Sequence, residues 1–343
     1  MPSVFVTGAS GCVGHYLVDA LSPDYDLYLL VRNPAKLRFD PAQRKNVTVV
    51  PGDLDSIADH ASLLARMDYC IHAATAWGGE GIYRINVDRV HQLFNLLSPE
   101  RTRRIIYFST ASILGRGNVL LPEAGQVGTD YIKSKYLCYT GLDQCRLRSR
   151  IVTVFPTLVF GGDATHPFSH LTSALPLFRR YAWLVGRLDV KVAFHYIHAE
   201  DIARLVRYLL EAPTVQQGYV LGNDPITFGE FSRRAARFFG HRIGWHIPVS
   251  ARSLARWADW LGVRLSPWDR FCANYGDFRY ETLSCPAVGL PSRYTTVEEI
   301  VSDWRLVPAG TAQPNTSHGG RRTGYGARHD RLPEQRSRNH REE

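Results

Sequence analysis

The apolar run Val4-Phe-Val-Thr7 breaks into Gly8-Ala-Ser-Gly11-Cys-Val-Gly14, and this one stretch leaves the chain few folds to adopt. A buried strand must end, turn through residues without a Cβ, and re-form as a helix from Cys12. Glycines at positions 8, 11 and 14 permit a tight turn, close approach to a pyrophosphate, and close packing of helix on strand. The helix N-terminus adds unpaired N–H groups and the positive end of a dipole. Gly8, Ser10, Gly11, Cys12, Val13 and Gly14 are therefore candidate contacts to a dinucleotide. The spacing is G-x-x-G-x-x-G and not G-x-G-x-x-G, and glycine turns also occur in purely structural loops, so the rest of the chain has to agree with it.

From Ser3 to about Val154 short apolar runs alternate with stretches of helical spacing, the pattern of a parallel sheet covered on both faces. Strands are expected at 4–7, 27–31, 47–50, 69–73, 105–109 and 151–155, and helices at 12–21, 57–64, 82–97 and 131–147. The fold class is α/β, a doubly wound sheet with its ligand at the carboxyl ends of the strands. Beyond Gly161 the regularity weakens. Residues 166–188 and 250–271 read as aromatic, arginine-rich helical stretches, joined by a returning unit at 194–210, 218–221 and 227–239. His198-Ala-Glu-Asp201 is expected to open a helix at 202–210. Thr296 and Glu299 have capping-box spacing. After Pro308 the chain is polar and turn-rich, and disorder is expected over 309–343. The organisation is thus a cofactor domain at 1–160, to which 189–225 returns, a smaller and mainly helical substrate lobe at 161–188 and 226–308, and a tail.

The chain has no run of eighteen apolar residues and no basic, then apolar leader, so no transmembrane segment and a cytoplasmic location are expected. Cys12, Cys70, Cys138, Cys145, Cys272 and Cys285 are scattered, as reduced thiols would be. The net charge of +9 rests on arginine, since Lys36, Lys45, Lys133, Lys135 and Lys191 are the only lysines. These charges are spread out with no nucleic-acid motif beside them, which fits an anionic cofactor and leaves nucleic acid out. His166 with His170, and His195 with His198 and Asp201, have spacings open to a metal, but nothing completes a site and none is expected.

The second strand ends in Arg32, where an enzyme for NAD carries an acid for the ribose 2′-hydroxyl. A guanidinium there pairs with a 2′-phosphate, which points to NADP, with NAD left open. Asp53 and the amide of Leu54 are placed to read an adenine edge; an Asx turn explains the same residues equally well. Ala73, Ala74 and Thr75 leave the fourth strand with small side chains beneath a cofactor, and Asn86 either braces that loop or merely solvates it. The fifth strand delivers Thr110. About twenty residues later, Tyr131 and Lys135 stand one helical turn apart on one face. A phenol is a poor acid–base group at neutral pH until a cation stabilises its anion, and Lys135 is expected to supply that cation while holding the nicotinamide ribose. Thr110 donates to the substrate oxygen and Tyr131 delivers the proton. With 17 tyrosines and five lysines, about a quarter of one such pair arises by chance, so its place after the fifth strand is what makes it specific.

The order Thr7-Gly8-x-x-Gly11-x-x-Gly14, Asp53-Leu54, Thr110 five residues before Gly115, then Tyr131-x-x-x-Lys135 resembles the extended short-chain dehydrogenase/reductase family, also called the epimerase/dehydratase superfamily, over roughly residues 3–305. The resemblance implies a Rossmann-type domain with a C-terminal substrate lobe, Tyr131 as acid–base residue, Lys135 as its partner, Thr110 as oxygen donor, and Pro156 among the cofactor contacts. It leaves a homodimer open. Dehydratases of the family follow the threonine with an Asp-Glu pair, where this chain has Ala111 and Ser112. Epimerases carry an asparagine where Leu158 stands, and Pro156-Thr-Leu-Val159 is similar to the dihydroflavonol reductase and 3β-hydroxysteroid dehydrogenase side, whose substrates are apolar carbonyls or alcohols.

The expected function is therefore an NADP-dependent oxidoreductase acting on a mostly apolar small molecule. An NAD-dependent nucleotide-sugar epimerase and a catalytically silent NADP-binding sensor or assembly protein are the alternatives. Phe168, Tyr181, Trp183, Trp257, Trp260, Trp268 and Phe271 serve the lobe as core or as apolar pocket. Trp257, Trp260 and Leu261 with Arg256 and Arg264 have instead the spacing of a peripheral membrane face.

Overall fold

Alternate residues of the first strand, β1 (Ser3–Thr7), face opposite ways, so that Val4 and Val6 enter one core and Phe5 the other. The same two-sided burial recurs along β2 (Asp26–Val31), β4 (Tyr69–His72), β5 (Arg104–Phe108) and β6 (Ile151–Pro156), with β3 (Val47–Pro51) half-exposed. Each lies within one residue of its expected bounds at either end. A computed structural model of the chain describes residues 1–253, 256 and 264–306, which belong to one compact unit. The expected tail at 309–343, and Trp257, Trp260 and Leu261, lie outside the described residues.

Two later strands, β7 (Gly218–Leu221) and β8 (Thr282–Leu283), complete an eight-stranded sheet ordered β8-β7-β6-β5-β4-β1-β2-β3. Every pairing is parallel. The order reverses between β1 and β4, and a crevice opens where chains leaving those two strands diverge. On one face the sheet is covered by α1 (Cys12–Leu21) and, later in the chain, by Ile202, Leu205, Val206 and Leu209, all buried. The other face is covered by α2 (Arg89–Leu96) and α3 (Asp130–Gly141), with Leu93, Phe94 and Cys138 packed on Cys70, Ile105 and Tyr107. Truncating a side chain as enclosed as Phe94 costs about 3–5 kcal/mol.

The helices depart from their sequence bounds where tighter turns serve the same apolar spacing. The expected helix 57–64 is a 3-10 turn, Ile57–His60, then one α-turn, Ala61–Leu64. The 82–97 stretch passes through a π-turn at Arg84–Asp88 before α2, and 131–147 ends at Gly141, followed by 3-10 turns that keep Leu142 and Cys145 buried. Later in the chain, α4 (His170–Val185) is capped by Ser169, α5 (Ala199–Glu211) by His198 and α6 (Phe228–Phe238) by Thr227. The helix expected at 202–210 thus starts three residues earlier, because the His198 ring accepts the Glu200 amide and acts as the cap. Both arms of the Thr296–Glu299 capping box form. Of the 250–271 stretch, the described part contains Pro267–Tyr275, opened by a second capping box from Ser266 and Asp269. Tyr181 and Trp183, expected as core or pocket, are about half exposed. Among the described residues no helix is long and apolar enough to cross a membrane, and all six cysteines are free thiols.

Candidate active site

At the carboxyl end of β1, Gly8 has φ +82° and its Cα faces the chain leaving β4: a Cβ there would lie 2.6 Å from the Ala74 amide nitrogen. At Gly14 a Cβ would meet the Gly8 carbonyl at 2.1 Å, so only glycine lets α1 lie against β1 this closely. Gly11 is different, because a Cβ there meets nothing nearer than 3.4 Å. Its openness faces the end of α1, whose cap has no side-chain hydrogen bond and whose first turn carries no acid. The amides of Cys12, Val13 and Gly14 precede the first intrahelical bond and are left for a ligand. Small side chains in front and an uncapped positive helix end behind fit the diphosphate of a dinucleotide.

Thr7 locks the two strands that flank this crevice. Its carbonyl accepts from the Ala73 amide at 3.2 Å, its hydroxyl oxygen accepts from the Ala74 amide at 3.3 Å, and it shares a 2.8 Å hydrogen bond with His72 Nδ1. Arg32 follows β2 directly, exposed, and has no ion pair or hydrogen bond among the described residues. Asp53 forms the Asx turn, its Oδ1 accepting the amides of Asp55 and Ser56 at 2.9 and 3.1 Å, while Oδ2 has no partner among the described residues. Leu54 is buried in the core. Pro156 stands at the carboxyl edge of β6.

Asn86 braces the loop beyond Thr75, as one of its two sequence readings had it. Its Oδ1 accepts the Ala76 amide at 2.8 Å and the Thr75 hydroxyl at 3.3 Å; its Nδ2 donates to the Ala76 carbonyl at 2.8 Å and to Ser134 Oγ at 2.9 Å. Ser134 in turn donates to the Tyr131 carbonyl at 2.8 Å. The π-turn widens the helix where Asn86 sits, and at 1% exposure its amide is wholly inside. One buried side chain thereby ties the loop after β4 to the turn of α3 that carries Tyr131.

Thr110, two residues past the end of β5, caps the short turn Ala111–Ile113, its hydroxyl donating to Ser112 Oγ at 3.2 Å. That turn is held by Tyr280, whose hydroxyl donates to the Ala111 carbonyl at 3.0 Å, and by Trp268 packed on the same cluster. Across the crevice the Tyr131 phenol is pushed up to about 12 by burial, an effect the Thr110 hydroxyl partly offsets through a hydrogen bond. Lys135 is 2% exposed and donates from Nζ to the Phe108 carbonyl at 2.8 Å, with the Tyr107 ring beneath it at 5.2 Å. Burial pulls it down to about 8. One of the three N–H groups of the Lys135 ammonium is engaged by the Phe108 carbonyl, and the Tyr131 phenol stands above its ordinary value because burial outweighs what lowers it.

Three residues of the site were not singled out from sequence: Ser134, Tyr107 and Trp77. Trp77 is 59% exposed and stacks on Tyr131, with ring centroids 4.4 Å apart, while its edge meets His170 of α4 at 5.1 Å. Its place five residues past His72, on a loop leaving a central strand, was the available signal. The histidines considered for a metal have other tasks: His166 bridges Asp163 and Asp19, His195 lies between Asn223 and Tyr280, and His198 bonds Asp303. A groove of about 1480 Å³ on the outer side of α1 and α5 contains none of Thr110, Tyr131 or Lys135.

An open parallel sheet with a glycine-lined helix end at its switch point, and a Thr–Tyr–Lys constellation beside it, defines a nicotinamide-dependent enzyme. The chain belongs to the NAD dependent epimerase/dehydratase family, whose model matches residues 4–222. It is similar to a dihydroflavonol 4-reductase of Callistephus chinensis, 21% identical over 281 residues that span 72% of this chain and 75% of that one. Among solved structures it resembles gox2253, with TM-score 0.67 and 22% identity over 89% of this chain and 98% of that one. It also resembles the dTDP-glucose 4,6-dehydratase of Bacillus anthracis in complex with NAD, with TM-score 0.59 and 15% identity over 89% and 96%.

Proposed function

We propose that this enzyme is an NADP-dependent oxidoreductase that interconverts a carbonyl and a secondary alcohol on a mostly apolar small molecule. The observation that carries the cofactor choice is Arg32: an exposed guanidinium just past β2 that has no ion pair or hydrogen bond among the described residues. The apolar substrate is supported by Leu158, 42% exposed where an epimerase would present an amide, and by Trp77 lying over Tyr131. Similarity to a dihydroflavonol reductase points the same way.

In this reading residues 1–160 and 189–225 hold the cofactor and 161–188 with 226–308 hold the substrate. Gly8, Ser10, Gly11, Cys12, Val13 and Gly14 receive the diphosphate, Arg32 the 2′-phosphate, Asp53 and Leu54 the adenine, and Ala73, Ala74, Thr75, Lys135 and Pro156 the nicotinamide half. The bound nicotinamide supplies or accepts a hydride. Thr110 hydrogen-bonds the substrate oxygen, and Tyr131 passes a proton to it or takes one from it. Lys135, fixed by the Phe108 carbonyl, places a cation at the base of the pair, and Trp77 shields the phenol from water.

The test is a thermal-shift and kinetic comparison of NADP(H) with NAD(H) in the parent and in Arg32→Asp. The expected result is a preference for NADPH that falls about 10–100-fold on substitution, the range of one to two charge-assisted hydrogen bonds. Equal losses for both cofactors overturn the role of Arg32. Tightly retained NAD with turnover of a UDP-sugar overturns the reductase reading and favours the epimerase.

A further inference from the structure

The outer face of α4 is apolar where a surface helix is ordinarily charged. Leu177, Tyr181 and Leu184 form a stripe at helical spacing, each 44–46% exposed, and Trp183 beside them is 49% exposed. The patch continues beyond the helix. Ile247 donates its amide to the Arg187 carbonyl at 2.7 Å, and residues 247–249 pair with 188–190 as a two-stranded ribbon. Trp245 and Ile247 are thereby brought alongside, 58% and 49% exposed. The Arg187 guanidinium lies over both indoles, 5.7 Å from Trp183 and 5.2 Å from Trp245, which places the two tryptophans on one surface.

The stretches that carry this surface are basic. Residues 164–188 contain three arginines and residues 231–253 contain five, and neither stretch has an aspartate or glutamate. Of the carboxylates bordering them, Asp189 is buried and paired with Arg233 and Lys191, Asp163 is paired with His166 and Glu298 with Arg234, while Glu230 is exposed at the start of α6. Arg180 lies over the Tyr181 ring, and Arg242 is exposed. Exposed tryptophan and tyrosine interleaved with arginine, over an aliphatic stripe and with no acid inside either stretch, is the composition of a surface that rests at the headgroup layer of an anionic bilayer. A soluble acidic partner would be met by the charges alone and would leave the aliphatic stripe without a purpose.

We propose that this face of the lobe docks on an anionic lipid surface, with Trp183 and Trp245 in the headgroup layer and Arg180, Arg187 and Arg242 against lipid phosphates. The residues differ from the Trp257 and Trp260 face considered from sequence. The stripe also leads to the catalytic centre: His170, at the start of α4 and about two turns before Leu177, touches Trp77, which stacks on Tyr131. Resting on the reductase reading, this gives an apolar substrate dissolved in the bilayer a short way to the phenol.

The experiment is co-sedimentation of the full chain with vesicles of phosphatidylcholine alone and of phosphatidylcholine mixed with phosphatidylglycerol. Binding is expected to the mixed vesicles, weakened by salt, and not to the neutral ones. Arg180→Glu with Arg242→Glu, both on the surface, is expected to lower the bound fraction at least about tenfold, and Trp245→Ser to lower it several-fold. Melting temperature checks the fold of each variant independently of cofactor or substrate, so the vesicle result stands whatever becomes of the reductase reading. Equal binding to both vesicles, or binding that all these substitutions leave intact, overturns the proposal. So does a dimer that the same substitutions dissociate in the absence of any vesicle binding, which would give the face to a second copy of the chain.

Discussion

The indole of Trp77 lies over the phenol of Tyr131, its ring centroid 4.4 Å away and its plane 23° from parallel. A loop side chain thus forms one wall of the space in which a substrate oxygen reaches the phenol. Stacked aromatic pairs contribute about 0.5–1.5 kcal/mol beyond area burial. Trp77→Ala should raise KM for an apolar carbonyl about 2–10-fold with a smaller change in kcat, and Trp77→Phe should restore most of it. Steady-state kinetics on a series of ketones of increasing apolar area would check this, and an unchanged KM across the series would remove Trp77 from the substrate wall.

The hydroxyl of Ser134, one turn along α3 from Tyr131, is turned to the Tyr131 carbonyl at 2.8 Å and so is held to the backbone. Tyr131→Phe removes the phenolic proton and leaves the packing against Trp77. The expected loss in kcat is about 10²–10⁴-fold, the usual share of a general acid–base group, with cofactor thermal shift retained. Retained turnover would show that the proton comes from elsewhere.

Lys135 should cost the fold stability. Burial holds its pKa down at about 8, so between that value and the ordinary lysine value near ~10.4 the unfolded chain binds more protons and stability rises with pH. Below pH 8 the folded state bears the whole penalty of an enclosed ammonium. Lys135→Met should therefore raise Tm at pH 7 by roughly 2–4 °C per kcal/mol gained, with about 1–3 kcal/mol expected. The gain should disappear above about pH 10, and turnover should fall. Scanning calorimetry at pH 7 and pH 10 decides it; a lower Tm at both pH values would show that the bond to Phe108 outweighs the burial.

Asn86 holds loop and helix together through both ends of one amide. Asn86→Asp keeps the acceptor but loses both donations, to the Ala76 carbonyl and to Ser134. A loss of about 1–3 kcal/mol is expected from leaving those buried groups unpaired. Because Ser134 bonds the Tyr131 carbonyl, kcat should fall together with stability, and a Ser134→Ala variant should show a smaller version of both. Urea unfolding and kinetics on the two variants test the coupling; loss of stability with kcat intact would limit Asn86 to a structural brace.

The glycine turn, the strand bounds and α1 were legible because each follows from local chemistry: a buried strand is a short apolar run, and positions 8 and 14 tolerate no side chain for reasons of contact. The pair Tyr131 and Lys135 was legible from helical spacing. What Lys135 touches was not, since the Phe108 carbonyl comes from a strand 27 residues earlier. Trp77 was missed because a loop has no period, and its orientation is set by His170 from a different part of the chain. Asp53 remained divided between two readings for a physical reason: one carboxylate oxygen makes the turn and the other is left over. In the lobe, aromatic spacing looked like a buried core at Tyr181 and Trp183, and sequence alone does not say which side of α4 the sheet takes.

The eighth strand, Thr282–Leu283, lies between the helix Pro267–Tyr275 and the helix opened by Thr296 yet adds to the sheet beside β7, and Cys285 just after it is buried with α1 and α5. A chain cut near residue 225 would lose that strand and present β7 as an open edge with unmatched amides. The nucleotide-binding half should therefore not be separable by truncation, and shortened versions should self-associate through that margin. Circular permutants that open the chain at an exposed turn such as 78–81 and keep residues 282–285 in place are the ones expected to refold.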